Sequence, residues 1–166
     1  MGYYDEIAPG YEELHRDEQE GKLRVILGNL PFELTSDMKL LDIGCGSGIS
    51  MEPWDCEKVG IDPSPGLLEI AKKKGLNVKS GKPDELDFAD GAFDIVTSIT
   101  ALHHIDYGDD IAKEFARVCK KWLIISYLKK APVIPREVLL DAISEYFEKV
   151  KVLEHDKDVI YMFKRK

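Results

Sequence analysis

Cysteine is sparse in this sequence of 166 residues. The three present, Cys45, Cys56 and Cys119, are odd in number and scattered, without the spacing of a metal site. They point to a reducing, cytoplasmic setting. No apolar run approaches the ~20 residues needed to cross a membrane. The N-terminus is acidic and carries no apolar core segment, so no secretory leader is expected. Positive charge is also short, with 23 Lys and Arg against 31 Asp and Glu, a net charge of −8. A net negative chain lacks the electrostatic footprint of a nucleic-acid binder. Internal repeats and linkers are absent as well.

What is present suffices for one domain with a proper core: 44% of the residues are hydrophobic and 33% charged. The organising stretch is Leu40-Leu41-Asp42-Ile43-Gly44-Cys45-Gly46-Ser47-Gly48, a buried-strand composition running into glycines at alternate positions. Without Cβ atoms, such a loop lets backbone N–H groups approach a polar or anionic ligand. Alone it is a weak signal, equally consistent with a tight strand-to-helix turn. Val59-Gly60-Ile61-Asp62 then reads as a second short strand ending in an acid, 14 positions after Gly48. A carboxylate near this offset can accept hydrogen bonds from both hydroxyls of a ribose. The glycine spacing is Gly-x-Gly-x-Gly rather than the Gly-x-Gly-x-x-Gly of dinucleotide folds.

Leu-Asp-Ile-Gly-Cys-Gly-Ser-Gly followed by Gly-Ile-Asp-Pro-Ser resembles motifs I and II of class I S-adenosylmethionine-dependent methyltransferases. Phe93-Asp94-Ile95-Val96 leading to Leu102-His103-His104-Ile105 is similar to that family's fourth strand and the motif after it. Tyr3-Tyr4-Asp5-Glu6-Ile7-Ala8 with Tyr11 is similar to its N-terminal cap. The resemblance covers nearly the whole chain, with the motifs in the family's order. It implies S-adenosylmethionine as cofactor, held by Tyr11, Asp42, Gly44, Cys45, Gly46, Gly48, Asp62, Pro63, Ser64 and Thr100. In that arrangement Gly44, Gly46 and Gly48 serve the amino-acid end, Asp62 the ribose, and Pro63 with Ser64 the adenine. His104, at the end of the fourth strand, is the candidate base for the acceptor's proton, weighed against a histidine packed beneath the cap.

Residues 1–37 read as a helical cap, broken at Pro9-Gly10, with Leu23, Ile26, Leu27 and Leu30 at helical spacing toward the body. The cap holds nine acidic side chains against three basic, a net of −6. After the glycine loop, Pro53 and Trp54 arrive too soon for a full crossover helix. Ser64-Pro65 opens a well-marked helix that closes at Gly75. Gly81-Lys82-Pro83 departs from the family's Gly-Asp-Ala, removing an acid and an N–H from the loop that reads adenine. An amphipathic helix is expected from Asp110, a strand over 122–127, preceded by Cys119-Lys120-Lys121 where the family has a Pro-Gly-Gly turn, and a helix over Arg136–Glu148. Strands over 150–154 and 159–163 would be joined by His155-Asp156-Lys157-Asp158.

This alternation predicts a single α/β domain over 1–166, with a cap (1–37) and a core (38–166). The core is a three-layer sandwich on a mostly parallel sheet, and the resemblance implies that this sheet is Rossmann-like, with seven strands in the order 3-2-1-4-5-7-6. The expected function is methyl transfer to a small-molecule or protein acceptor. A non-catalytic S-adenosylmethionine-binding subunit that activates or stabilises a partner is the alternative. Nucleic acid is disfavoured as acceptor, no membrane partner is expected, and a homodimer is allowed. No Asn/Asp-Pro-Pro-Tyr tetrapeptide follows the fourth strand, which disfavours amide and base nitrogens.

Overall fold

The computed structural model describes residues 2–102, 109–130 and 136–166. Its frame is a seven-stranded sheet of order β3-β2-β1-β4-β5-β7-β6. The strands are β1 (Lys39–Ile43), β2 (Glu57–Asp62), β3 (Val78–Ser80), β4 (Phe93–Ile99), β5 (Cys119–Leu128), β6 (Phe147–His155) and β7 (Asp158–Arg165). Strands β1 to β5 pair in parallel, while β7 runs antiparallel to both β5 and β6. The strand order expected from sequence is the one observed.

Both faces of the central strands are buried, so successive side chains alternate between two cores. Leu41, Ile43, Val96, Leu123 and Ile125 join one core. Leu40, Ile95, Ile99 and Ile124 join the other. The first is covered by α4 (Asp109–Val118) and α5 (Arg136–Ser144), through Ile111, Phe115, Leu139 and Ile143. The second is covered by α2 (Tyr11–Leu27), which inserts Ile26, and by Trp54. Leu27 and Leu30 pack at the edge of that core.

The cap is more continuous than its Pro-Gly pair suggests. α1 (Tyr3–Ile7) passes through a 3-10 turn at Ala8–Gly10 into α2. Pro9 sits in the first turn of that segment, where a missing N–H costs nothing. Asp5 of α1 accepts hydrogen bonds from Ser64 Oγ (2.6 Å) and Gly66 N (3.0 Å), at the start of α3 (Pro65–Lys73). The cap thus docks on a helix N-terminus, where a carboxylate is favoured. Ser64 also caps α3 directly, accepting from Leu67 N at 3.3 Å.

No helix joins β1 to β2. Trp54 fills the space, 1% exposed, its indole N–H donating to Ser50 O at 3.0 Å. Two boundaries differ from expectation. β5 starts earlier than the strand expected over 122–127: α4 runs directly into it at Cys119, and a register shift between Phe93 and Ile95 absorbs the junction. α5 stops at Ser144, and Phe147 begins β6, because its ring belongs to the core between the sheet and α4–α5. No helix among the described residues is long and apolar enough to cross a membrane.

Candidate functional site

A cavity of about 310 Å³ opens at the carboxyl ends of β1, β2 and β4. Ligands in open α/β sheets bind at such strand ends. Its floor is the glycine loop after β1, one side is Asp62-Pro63 after β2, and Gly81, Lys82 and Pro83 close the far edge. Tyr4, Tyr11 and Gln19 of the cap line the roof, and Ile99, Thr100 and Ala101 form the wall after β4.

The loop's backbone amides do a different job from the one expected. Gly44 N and Cys45 N both donate to Ile61 O, at 2.8 and 3.0 Å. Gly46 N donates to Asp62 Oδ2 at 2.9 Å, and Gly48 N to Cys45 O at 2.9 Å. Gly44 N and Cys45 N tie the loop to β2, Gly46 N fixes Asp62, and Gly48 N closes a turn within the loop, so all four are used inside the protein. Glycine is needed at two positions for space as well as backbone angle. A Cβ on Gly44 (φ 78°) would lie 2.3 Å from Ala101 Cβ, and one on Gly48 (φ 91°) 2.2 Å from Leu76 Cδ1. Gly48 therefore serves the packing of the loop against Leu76 and against Ala71 of α3.

Asp62 is 8% exposed and accepts one backbone N–H on each oxygen, from Gly46 and from Ser64 (2.9 Å). Each carboxylate oxygen retains acceptor capacity for a further donor. Burial raises its pKa above the usual carboxylate value, against those two hydrogen bonds. Asp42 lies behind the floor, wholly buried, and does not line the cavity. It accepts from Thr97 Oγ1 at 2.8 Å and from Ser50 Oγ, so it orients Ser50, which does line the cavity. Loss of solvation pushes the Asp42 carboxyl up to about 7. Burial also pushes the Tyr11 phenol up to about 12 and the Cys45 thiol well above its normal range. Tyr11 therefore stays a neutral donor, and Cys45 a small apolar spacer.

Of the expected binding set, Tyr11, Gly44, Cys45, Gly46, Asp62, Pro63 and Thr100 line the cavity. Asp42, Gly48 and Ser64 stand behind the lining as supports. His104 lies outside the described residues. The sequence reading assigned no binding role to Tyr4, Gln19, Ser47 or Ser50. Gln19 was findable, since it follows Tyr11 by eight positions on one helical face. Ser47 Oγ is buried with no hydrogen-bond partner among the described residues, at the cavity wall. An orphaned hydroxyl there, beside a carboxylate with spare acceptor capacity, fits a ligand that brings its own polar groups.

Residues 41–125 match the family model described as a methyltransferase domain. The chain belongs to this methyltransferase family. Among curated relatives, the methyltransferase YcgJ of Bacillus subtilis is 27% identical over 161 residues, covering 88% of this chain and 62% of its own length. The chain spans about three fifths of the length of such curated relatives. A SAM-dependent methyltransferase structure from Thermotoga maritima superposes with a TM-score of 0.79 at 24% identity, covering 98% of each chain. A chain from the Haloferax volcanii complex of the Trm112 methyltransferase activator with a methyltransferase superposes at 0.84 and 16% identity, covering 99% of this chain and 98% of its own. These two likenesses establish the shared fold.

Proposed function

We propose that this chain binds S-adenosylmethionine in the cavity below the cap and transfers its methyl group to a small-molecule or protein acceptor. The observation that carries the reading is Asp62: a carboxylate fixed by Gly46 N and Ser64 N at the cavity wall, as a vicinal diol requires. Family membership supports the same chemistry. Ser47 and Gln19 offer further polar contacts, and Tyr4 and Tyr11 close the roof. When bound, the cofactor supplies a sulfonium methyl for an in-line displacement. The protein's share is to hold the acceptor about 3–3.5 Å from that carbon and to exclude water. His104 is proposed to take the acceptor's proton, and His104→Ala should then lower turnover at unchanged cofactor affinity.

The cap's net negative charge favours neutral or cationic acceptors. Arg16 pairs with Glu12, Glu20 and Glu52, and Lys74 with Glu12 and Glu52, a network that itself stays net negative. A second reading, a binding subunit without turnover, is favoured by one feature. Lys82 and Pro83 line the cavity where the resemblance expects an acid and an N–H donor. Incubation with methyl-labelled cofactor and fractionated small molecules, proteins and nucleic acids decides between them. Label in a small-molecule or protein fraction is expected. Label in nucleic acid alone would overturn the acceptor class, and cofactor binding without label in any fraction would favour the second reading.

A further inference from the structure

Beneath the cap lies a buried charge that the proposed transfer does not use. Lys22 of α2 is 0% exposed and Asp158, the first residue of β7, is 1% exposed; Nζ and Oδ2 stand 2.7 Å apart. The same ammonium donates to Thr100 Oγ1. The Thr100 backbone N–H in turn donates to Ser126 Oγ at 2.8 Å, and the two hydroxyls lie 3.1 Å apart. Cap, β4 end, β5 and β7 therefore meet at one polar knot directly behind the cavity wall.

Thr100 is also conformationally unusual. Its φ is 55°, in the left-handed region that β-branched side chains avoid. Such a conformation persists only where the surroundings over-determine it, and those places cluster at ligand sites. We propose that Lys22 is a positioning residue: neutralised by Asp158, it holds the Thr100 hydroxyl and so keeps the backbone after β4 in the left-handed turn that forms the cavity wall. The consequence for binding rests on the S-adenosylmethionine reading above. The knot also explains why a lysine is tolerated at zero exposure, since its ammonium has both an ionic partner and a hydroxyl acceptor. Docking of α2 and the shape of the wall become one event.

The test contrasts two substitutions that both remove the hydroxyl but leave the ion pair intact. Thr100→Ala keeps a Cβ that disfavours the left-handed turn, whereas Thr100→Gly adopts it freely. S-adenosylhomocysteine binding to the full chain is measured by calorimetry, and backbone amide exchange over 99–102 by mass spectrometry. Thr100→Ala should bind at least tenfold more weakly than Thr100→Gly and exchange at least tenfold faster over 99–102. The doubly neutralised Lys22→Met/Asp158→Leu should weaken binding about tenfold, and adding Thr100→Gly should recover most of it. Equal affinity and equal exchange for the alanine and glycine variants would overturn the proposal, even if the double variant fails to fold. If the wild type binds no S-adenosylhomocysteine, the cofactor reading falls. The positioning role is then judged on exchange alone: a difference between alanine and glycine sustains it, and none overturns it.

Discussion

The two walls of the cavity are held by different means. On the β1–β2 side every donor that fixes it is a backbone N–H: Gly44 N and Cys45 N onto Ile61 O, Gly46 N and Ser64 N onto the Asp62 carboxylate. On the cap–β4 side a side chain supplies at least one partner of every contact: Lys22 Nζ onto Asp158 and Thr100 Oγ1, and Thr100 N onto Ser126 Oγ. A backbone-held wall tolerates many side-chain changes but few changes at glycine. A side-chain-held wall is stable only while every partner is present, because removing one leaves another buried and unpaired.

That contrast is open to direct attack. Lys22→Met should be the most damaging single change on the side-chain wall, since it leaves Asp158 buried without its cation. A loss of about 3–5 kcal/mol is expected, with Lys22→Met/Asp158→Leu recovering most of it in denaturant melts. On the backbone wall, Gly44→Ala places a Cβ against Ala101 at 2.3 Å and at φ 78°. About 3 kcal/mol should be lost, lowering Tm by roughly 6–12 °C in calorimetry. A Gly44→Ala protein as stable as wild type would show that this wall is softer than its hydrogen bonds imply.

The third test is pH. The Asp42 carboxyl is raised from 3.8 to about 7 by burial, so the folded chain keeps a proton that the unfolded chain releases. Its stabilising contribution is full below the unfolded value and is lost as pH rises through the folded one. Unfolding free energy should therefore fall by about 2 kcal/mol between pH 5 and 7, at up to 1.36 kcal/mol per pH unit. Asp42→Asn should flatten that slope in melts at both pH values. The smallest effect is at the far edge of the cavity. Lys82→Asp with Pro83→Ala restores an acid and an N–H, and should tighten cofactor binding by about 1 kcal/mol, roughly fivefold, in calorimetry. No gain would mean that Lys82 and Pro83 read the nucleobase by another route.

The same contrast explains what could be read in the sequence. The backbone-held wall left a pattern, because glycine at 44, 46 and 48 and an acid at 62 are forced by local geometry. The layered α/β class followed from the alternation of elements, the strand order from the family resemblance, and the missing crossover helix from Pro53. The α3 helix was legible at both ends from Ser64-Pro65 and Gly75. The side-chain wall left no such trace. Lys22 and Asp158 are distant in sequence, and a buried lysine reads like any other charged residue on an acidic helix. The start of β5 was hidden for a related reason: Lys120 and Lys121 are exposed and interrupt the apolar run, yet they are the outer end of a strand whose inner end is buried. The functions of loop amides were also hidden, since spacing shows where glycine is needed but not which carbonyl its N–H meets.

The central claim is that Asp62 receives the ribose of an S-adenosyl ligand. Calorimetric titration of S-adenosylhomocysteine into wild type and Asp62→Ala tests it most directly. One-to-one binding to wild type is predicted, weakened by about 1–3 kcal/mol, or roughly 5- to 150-fold, in a folded Asp62→Ala protein. Equal affinity for the two proteins, or no binding to wild type, would contradict it.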